Sequence, residues 1–314
     1  EITMKVAVLV PCYNEGTTVA RVVKDFQKVL PDAEIHVFDN NSTDKTAELA
    51  HNAGAVVHFV IRPGKGNVVR RMFADVDADA YLMVDGDATY DAPSAPKLIK
   101  KLIDEDLDMV VGCRVEDSKD NNNYRLGHRL GNRLLTGSVQ KMFGGQFTDM
   151  LSGYRAFSRR FAKSFPAESG RFEIETELTV HALEMKMAYG EVATPYFERP
   201  IGSESKLSTY KDGIRILKMI ARLYSNERPS RFWALVGSTF ILIAAVIMIP
   251  VFIEYLSTHL VQRFPTLIVA SGLAVVGVLC ATIGLVLRTV TKGRNESKHL
   301  AYLQHKSVRN DLGL

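Results

Sequence analysis

Tyr81-Leu82-Met83-Val84-Asp85-Gly86-Asp87-Ala88-Thr89-Tyr90 is a short apolar run that stops at two carboxylates one residue apart. An apolar run of this length without helical spacing reads as a buried strand. In an open α/β sheet, ligands bind just beyond the carboxyl ends of the strands. Asp85 and Asp87 are therefore expected where a strand opens into a cleft. Strand alternation puts residues i and i+2 on one face, and Gly86 lets the backbone approach a ligand closely. Two hard oxygen ligands on one face suit Mg²⁺ or Mn²⁺ bridging a diphosphate. An Asp-x-Asp alone also fits a solvated turn, so the rest of the chain must choose.

Working back toward the N-terminus, strand and helix patterns alternate. Val6–Val10, Ile35–Phe38, Ala55–Val60, Tyr81–Val84 and Met109–Val111 read as strands. Thr17–Leu30, a segment through Asn52 capped by Ser42 or Asp44, Gly66–Ala78 and Pro93–Glu105 read as helices. Strict alternation predicts an α/β fold with a mainly parallel sheet and helices on both faces. Three polar clusters follow three of the strands: Pro11-Cys12-Tyr13-Asn14-Glu15, Asp39-Asn40-Asn41-Ser42-Thr43-Asp44, and Asp85-Gly86-Asp87. Three such clusters on one sheet edge predict a cleft for a polar ligand. The acids would repel a bare diphosphate, so a cation is needed between them.

Toward the C-terminus the chain changes character. Trp233–Ile253 and Phe264–Leu287 carry no charged residue, and each is about long enough to span a bilayer as a helix. Arg222, Arg228 and Arg231 precede the first run, and Arg288, Lys292 and Arg294 follow the second. The loop between holds only Arg263 as a firm cation. This asymmetry predicts an integral membrane protein with the N-terminal domain and both termini cytoplasmic. No signal peptide is visible, since Met4-Lys5 leads straight into a strand pattern. Lys211–Glu227 is amphipathic and suits either an interfacial helix or an ordinary surface helix. The expected organisation is 1–210 for the α/β domain, 211–231 for the amphipathic helix, 232–290 for two spans (about 233–253 and 265–287) and 291–314 for a tail. Three scattered cysteines, Cys12, Cys113 and Cys280, exclude a disulfide framework and a zinc site. A net charge of only +4 does not point to nucleic acid.

The three clusters resemble the signature of family-two glycosyltransferases with the GT-A fold. Thr148-Asp149-Met150-Leu151-Ser152-Gly153-Tyr154-Arg155-Ala156-Phe157 and Gly202-Ser203-Glu204-Ser205-Lys206-Leu207-Ser208 narrow the resemblance. They are similar to segments of the polyprenyl-phosphate hexose synthases, the group of dolichol-phosphate mannose synthase and bacterial polyisoprenyl-phosphate glucosyltransferases. The resemblance implies that Pro11, Tyr13, Glu15 and Asp39 line a nucleoside pocket, and that Asp85 and Asp87 hold Mg²⁺ or Mn²⁺ on the donor diphosphate. Some relatives carry a Gln two residues after the motif as a further ligand, where this chain has Thr89. Asp149 matches an acid that serves as base or orienting group near the acceptor. Arg155, Arg199, Ser205 and Lys206 match positions that meet phosphates, and Lys65 matches one beside the nucleotide.

Charge argues for the last set independently. Bringing a nucleotide diphosphate to a lipid phosphate requires a cation and Arg or Lys clamps against their repulsion. Arg125, Arg129 and Arg133 share a helical face that suits anionic headgroups, the lipid phosphate or solvent. Arg62-Pro63-Gly64-Lys65-Gly66 is not a phosphate-binding P-loop, because Phe59 and Gly66 stand where Gly and Ser or Thr are required. Glu173, Glu175 and Glu177 read as acids favouring a helix N-terminus. A phosphate monoester is already largely ionised near neutral pH, its second pKa being about 6, so Asp149 has an orienting role open to it as well as a base role. The expected activity is inverting transfer of a hexose, glucose from UDP-glucose before mannose from GDP-mannose, to polyprenyl phosphate at a bilayer. The competing readings are a different acceptor and a non-catalytic nucleotide-sugar-binding scaffold. A homo-oligomer is compatible with the chain.

Overall fold

The computed structural model describes residues 4–115, 136–166, 174–197, 218 and 220–312. It divides into two compact units, Glu1–Thr209 with Lys298–Leu314, and Tyr210–Ser297.

The first unit is built on a seven-stranded sheet in the order β3-β2-β1-β4-β6-β5-β7. The strands are β1 (Val6–Cys12), β2 (Glu34–Asp39), β3 (Val56–Phe59), β4 (Ala80–Met83), β5 (Met109–Val115), β6 (Arg155–Ser158) and β7 (Tyr189–Pro195). The first four run parallel, each reached through one helix: α1 (Val19–Val29), α2 (Thr46–Asn52) and α3 (Lys65–Asp75). A fourth, α4 (Ala95–Asp104), leads from β4 to β5. The apolar face of α1, Val19, Val22, Val23 and Phe26, is buried, as its 3.6-residue spacing requires. The N-terminus of α2 is held by Asp44, whose Oδ1 accepts from the Thr46 N–H at 3.0 Å.

The parallel half follows the sequence pattern to within a residue or two at most boundaries. The other half departs from it. β6 runs antiparallel to β4 and β5, and β5 pairs in parallel with β7. Neither β6 nor β7 is announced by an apolar run. β6 reads Arg-Ala-Phe-Ser yet is buried along its whole length. The helix whose N-terminus is expected at Glu173, Glu175 and Glu177 is described as Ile174–Glu184, and Tyr189 opens β7.

The C-terminal residues from Lys298 pack as part of this unit. Tyr302 Oη donates to Asp108 Oδ2 at 3.0 Å, and the Arg160 guanidinium lies 4.8 Å over the Tyr302 ring. Lys298 Nζ meets Glu184 Oε2 at 2.9 Å, and Val308 joins the core cluster that holds Leu98 and Leu102. The part of the expected tail from Lys298 onward is therefore a structural element of the domain.

The second unit is a helical hairpin, Pro229–Thr258 and Phe264–Leu303 up to Ser297, both helices long and apolar enough to cross a membrane. Lys218 and residues 220–227, within the expected amphipathic helix, are helical. Gly237, Ala244 and Val251 on one helix and Ala270, Gly277 and Gly284 on the other are buried, each set spaced by seven. A seven-residue repeat is the period of left-handed helix pairing, and small residues let two backbones close in. A Cβ on Gly237 would stand 2.5 Å from the Gly277 carbonyl oxygen.

Candidate active site

The three polar clusters converge at the carboxyl edge of β1, β2 and β4, and their backbones are tied together. Asn14 N donates to Ser42 Oγ at 2.9 Å, and Thr43 N returns a bond to Asn14 Oδ1 at 2.7 Å. Glu15 N donates to Thr46 Oγ1 and Gly16 N to Asp44 Oδ2, both at 2.9 Å. Thr18 Oγ1 donates to the Gly86 carbonyl at 2.7 Å, joining the first cluster to the third. The first two clusters each hold one non-glycine residue in the left-handed region, Asn14 and Asn41 at φ 58°, and Ala88, which follows the third, has φ 59°. Asn tolerates that conformation, whereas Ala does so only where its surroundings impose it. At Ala88 they do: Asp87 Oδ1 accepts from Thr89 N at 3.2 Å and from Thr89 Oγ1 at 2.6 Å, closing the turn.

Thr89 is wholly buried and donates to Asp87, so its hydroxyl orients a carboxylate. Gly86 serves packing on β1: a Cβ there would stand 2.5 Å from Cys12 Sγ. Burial first, and then Glu15, Asp39, Asp85 and Asp87, push the Cys12 thiol well above its ordinary pKa. All four acids act on the thiol at the end of β1.

A fourth strand end contributes the counter-charge. Asn40 fastens the loop after β3, donating to the carbonyls of Val60 at 2.8 Å and Arg62 at 2.7 Å and accepting from Gly64 N at 2.7 Å. This seats Lys65 at the start of α3. Lys65 Nζ lies 2.6 Å from Asp85 Oδ1 and 2.6 Å from Glu175 Oε1. Burial alone would lower the pKa of that ammonium; the two carboxylates outweigh it and hold the group firmly protonated. Glu175, read from sequence as a helix-terminus acid, is a buried partner in the site. Its signal was invisible because Lys65 is 110 residues away.

Asp39 is 3% exposed; among the described residues its Oδ1 has no hydrogen-bond partner, while Oδ2 accepts from Ser42 N at 3.4 Å. A buried carboxylate oxygen left unpaired costs free energy unless a ligand donor completes it. Tyr13, half-exposed, and the less exposed Pro11 and Glu15 are on the same rim.

A second charged pair lies at the end of β5. Arg114 Nε donates to Asp149 Oδ2 at 2.6 Å and its Nη2 to Asp149 Oδ1 at 2.8 Å, a two-pronged pair, and Arg114 N adds a bond at 3.2 Å. Burial would raise the Asp149 carboxyl; the Arg114 hydrogen bonds and charge outweigh it and hold it below the usual carboxylate range. The Arg114 guanidinium also lies 5.4 Å over the Tyr196 ring. Tyr90 stands between the two charged sets. Its hydroxyl accepts from Gly153 N at 3.0 Å, and its ring meets that of Tyr196 at 5.4 Å. Burial raises its hydroxyl pKa most, Asp85 adds to this, and Arg114 and Lys65 oppose it.

Arg155 is placed elsewhere than expected. It is fully buried, with Nε on the Ser152 carbonyl at 2.8 Å, Nη1 on Thr179 Oγ1 at 2.9 Å and Nη2 on the Met150 carbonyl. Burial lowers its pKa to about 10. Two of its donors, on the Ser152 and Met150 carbonyls, brace the 149–155 turn. Arg114, the sixth residue of β5, is the basic group paired with Asp149, and it was missed because the predicted strand stopped at Val111. Arg125, Arg129, Arg199, Ser205 and Lys206 lie outside the described residues.

The residues present fit a divalent cation. Asp85 and Asp87 offer hard oxygens from one turn, and among the described residues no group of three or more acids, histidines or cysteines stands ready to hold a metal alone. A divalent cation held there by two carboxylates would leave positions for diphosphate oxygens and water, the usual arrangement for Mg²⁺.

Comparison with known proteins agrees with this geometry. The sequence model described as "Glycosyl transferase family 2" matches residues 7–165. Protein RfbJ of Shigella flexneri is 62% identical over 127 residues, 40% of this chain and 98% of RfbJ. Glycosyltransferase AglJ of Haloferax volcanii is 37% identical over 233 residues, 74% of this chain and 76% of AglJ. The dolichyl-phosphate hexose transferase of the same organism is 27% identical over 222 residues, 71% of this chain and 95% of that protein. The same fold occurs in the crystal structure of Mycobacterium tuberculosis glucosyl-3-phosphoglycerate synthase in complex with Mn²⁺, uridine-diphosphate and phosphoglyceric acid. That likeness has a TM-score of 0.56 at 23% identity, covering 71% of this chain and 78% of that one.

Proposed function

The chain belongs to glycosyl transferase family 2, and on that premise we propose that it transfers glucose from UDP-glucose to polyprenyl phosphate at a membrane surface, giving a β-linked polyprenyl-phosphate hexose. The observation that carries the reading is the pairing of two charged sets on one sheet edge. The acids with Lys65 suit a nucleoside diphosphate, and the Arg114–Asp149 fork suits a second phosphate beside it. The dolichyl-phosphate hexose transferase among the relatives supports a polyprenyl phosphate acceptor. The two apolar helices support a membrane anchor.

Asp39 offers an acceptor to a nucleobase. Among the described residues its Oδ1 has no hydrogen-bond partner, and Oδ2 accepts only from Ser42 N at 3.4 Å. The imide N–H of uracil is a donor that this carboxylate can take.

Asp85 and Asp87 would hold Mg²⁺ or Mn²⁺, which when bound neutralises the departing diphosphate. Lys65 adds a second positive charge at the same end. Arg114, held rigid by Asp149, orients the lipid phosphate so that its oxygen faces the anomeric carbon opposite the diphosphate. The new C–O bond forms as the bond to the diphosphate breaks, which inverts the anomeric centre. The phosphate nucleophile is already ionised near neutral pH, and Asp149 is tied to Arg114, so the attack needs no protein base. Both termini and the sugar-transferring domain lie on the cytoplasmic side in this reading.

The test is an extraction assay. Labelled glucose from UDP-glucose should enter a chloroform-soluble, mild-acid-labile product when polyprenyl phosphate is supplied. Label remaining in the aqueous phase, or on protein, would overturn the acceptor.

A further inference from the structure

Lys65 occupies a position that its role in donor binding does not by itself require. Its ammonium lies 2.6 Å from Asp85 Oδ1, an oxygen the cation would use, and 2.6 Å from Glu175 Oε1 behind it. The other Asp85 oxygen faces backbone: a Cβ on Gly153 would stand 2.7 Å from Asp85 Oδ2 and 3.2 Å from Lys65 Nζ. The side chains of all three groups are mostly shielded from water, with 15% of Lys65, 27% of Asp85 and 10% of Glu175 exposed. A divalent cation arriving alone would meet an ammonium already paired with its ligand, at a distance where like charges repel strongly. A diphosphate changes this balance, because its oxygens can accept hydrogen bonds from the ammonium and coordinate the cation at once.

We propose that Lys65 caps Asp85 in the free enzyme and is drawn off by the donor diphosphate, so that metal and nucleotide load as one unit. Glu175 is the anchor that keeps the ammonium within reach of both positions. The inference rests on the reading of this site as a nucleotide–metal centre. It explains why a two-carboxylate motif need not scavenge free cations: the protein supplies its own counter-charge until substrate arrives.

The experiment is calorimetric titration of the full chain in detergent or nanodiscs with MnCl₂, with UDP, and with each in the presence of the other. In the wild type, Mn²⁺ alone should bind weakly, and saturating UDP should tighten it by roughly tenfold or more, with the reciprocal effect of Mn²⁺ on UDP. Lys65→Met should bind Mn²⁺ alone roughly tenfold more tightly than wild type, bind metal-free UDP more weakly, and show reduced coupling. Glu175→Gln keeps the ammonium and loosens its anchor, so metal-free UDP should bind more tightly than in wild type while Mn²⁺ alone does not; this variant carries the test if Lys65→Met does not fold. Unchanged Mn²⁺ affinity and coupling in Lys65→Met, or unchanged UDP affinity in Glu175→Gln, would overturn the inference while leaving the site reading intact. A folded wild type that binds neither UDP nor Mn²⁺–UDP would overturn both.

Discussion

Asp149 and Arg114 form a bidentate pair at the edge of β5, with Asp149 below its ordinary pKa because of that pair. A carboxylate held in this way is a poor proton acceptor and a good brace. Asp149→Asn and Arg114→Ala should each raise KM for polyprenyl phosphate and lower kcat, together by roughly tenfold to a hundredfold in kcat/KM, with UDP affinity within about twofold of wild type. The pH–rate profile of Asp149→Asn should keep its acid limb; loss of that limb would restore Asp149 as a base. At Asp39, the account expects Asp39→Ala to weaken UDP by roughly tenfold or more, measured by titration, because a charge-assisted hydrogen bond is lost. Asp39, Asp85 and Asp87 were legible in the sequence because each ends an apolar run, and strand ends are where α/β sheets bind ligands. Arg114 and Glu175 were not, because their partners lie 35 and 110 residues away and only the fold unites them. Arg155 shows the converse: a basic residue in a conspicuous motif, turned inward to carry the turn that holds Asp149.

The elements divide along the same line. β1 to β4 and α1 to α4 declare themselves through apolar runs and helical spacing. β6 does not, because Arg155 and Ser158 are satisfied inside the sheet, Ser158 Oγ donating to Asp108 Oδ1 at 2.8 Å. The helix Ile174–Glu184 is buried around most of its circumference, so it lacks the one-sided pattern that marks a surface helix. Its His181 is 2% exposed, and burial pushes its pKa down to about 3. Below the ordinary value of 6.5 the unfolded chain binds a proton that the folded helix refuses. Stability from this residue is therefore complete above pH 6.5 and is lost as pH falls toward 3. His181→Gln should flatten that acid limb in thermal melts recorded between those values; an unaltered slope would show that other groups set it. In the hairpin, Gly237 and Gly277 meet at the crossing, and Gly277→Leu should separate the helices. Cysteines placed at Ala244 and Ala270 in that background should then lose the cross-linking response they give with Gly277 present.

At the scale of the molecule, the chain after the second apolar helix returns to the domain that opens it. Lys298, Tyr302 and Val308 each find a buried partner there. Ending the chain at Ser297 removes Val308 from the core, a burial worth about 1.5–3 kcal/mol, and the Tyr302 bond to Asp108, worth about 1 kcal/mol. The domain's Tm should fall by several degrees, and Tyr302→Phe should reproduce the smaller part of the loss; a truncated chain as stable as the full one would mean the tail merely rests on the surface. The tail's docking could not be read from its sequence, which is polar and short, because its partners Asp108 and Glu184 are more than a hundred residues away.

The central claim is that one sheet edge joins a uridine diphosphate sugar to a lipid phosphate. The most direct measurement is mass identification of the product lipid. The purified full chain, in nanodiscs holding polyprenyl phosphate with Mg²⁺ or Mn²⁺, is offered UDP-glucose and GDP-mannose in separate reactions. A polyprenyl phosphate carrying a single hexose, β-linked by NMR, should form from UDP-glucose, and none from GDP-mannose. Unmodified polyprenyl phosphate with both donors, or a hexose lipid formed from GDP-mannose alone, would contradict it.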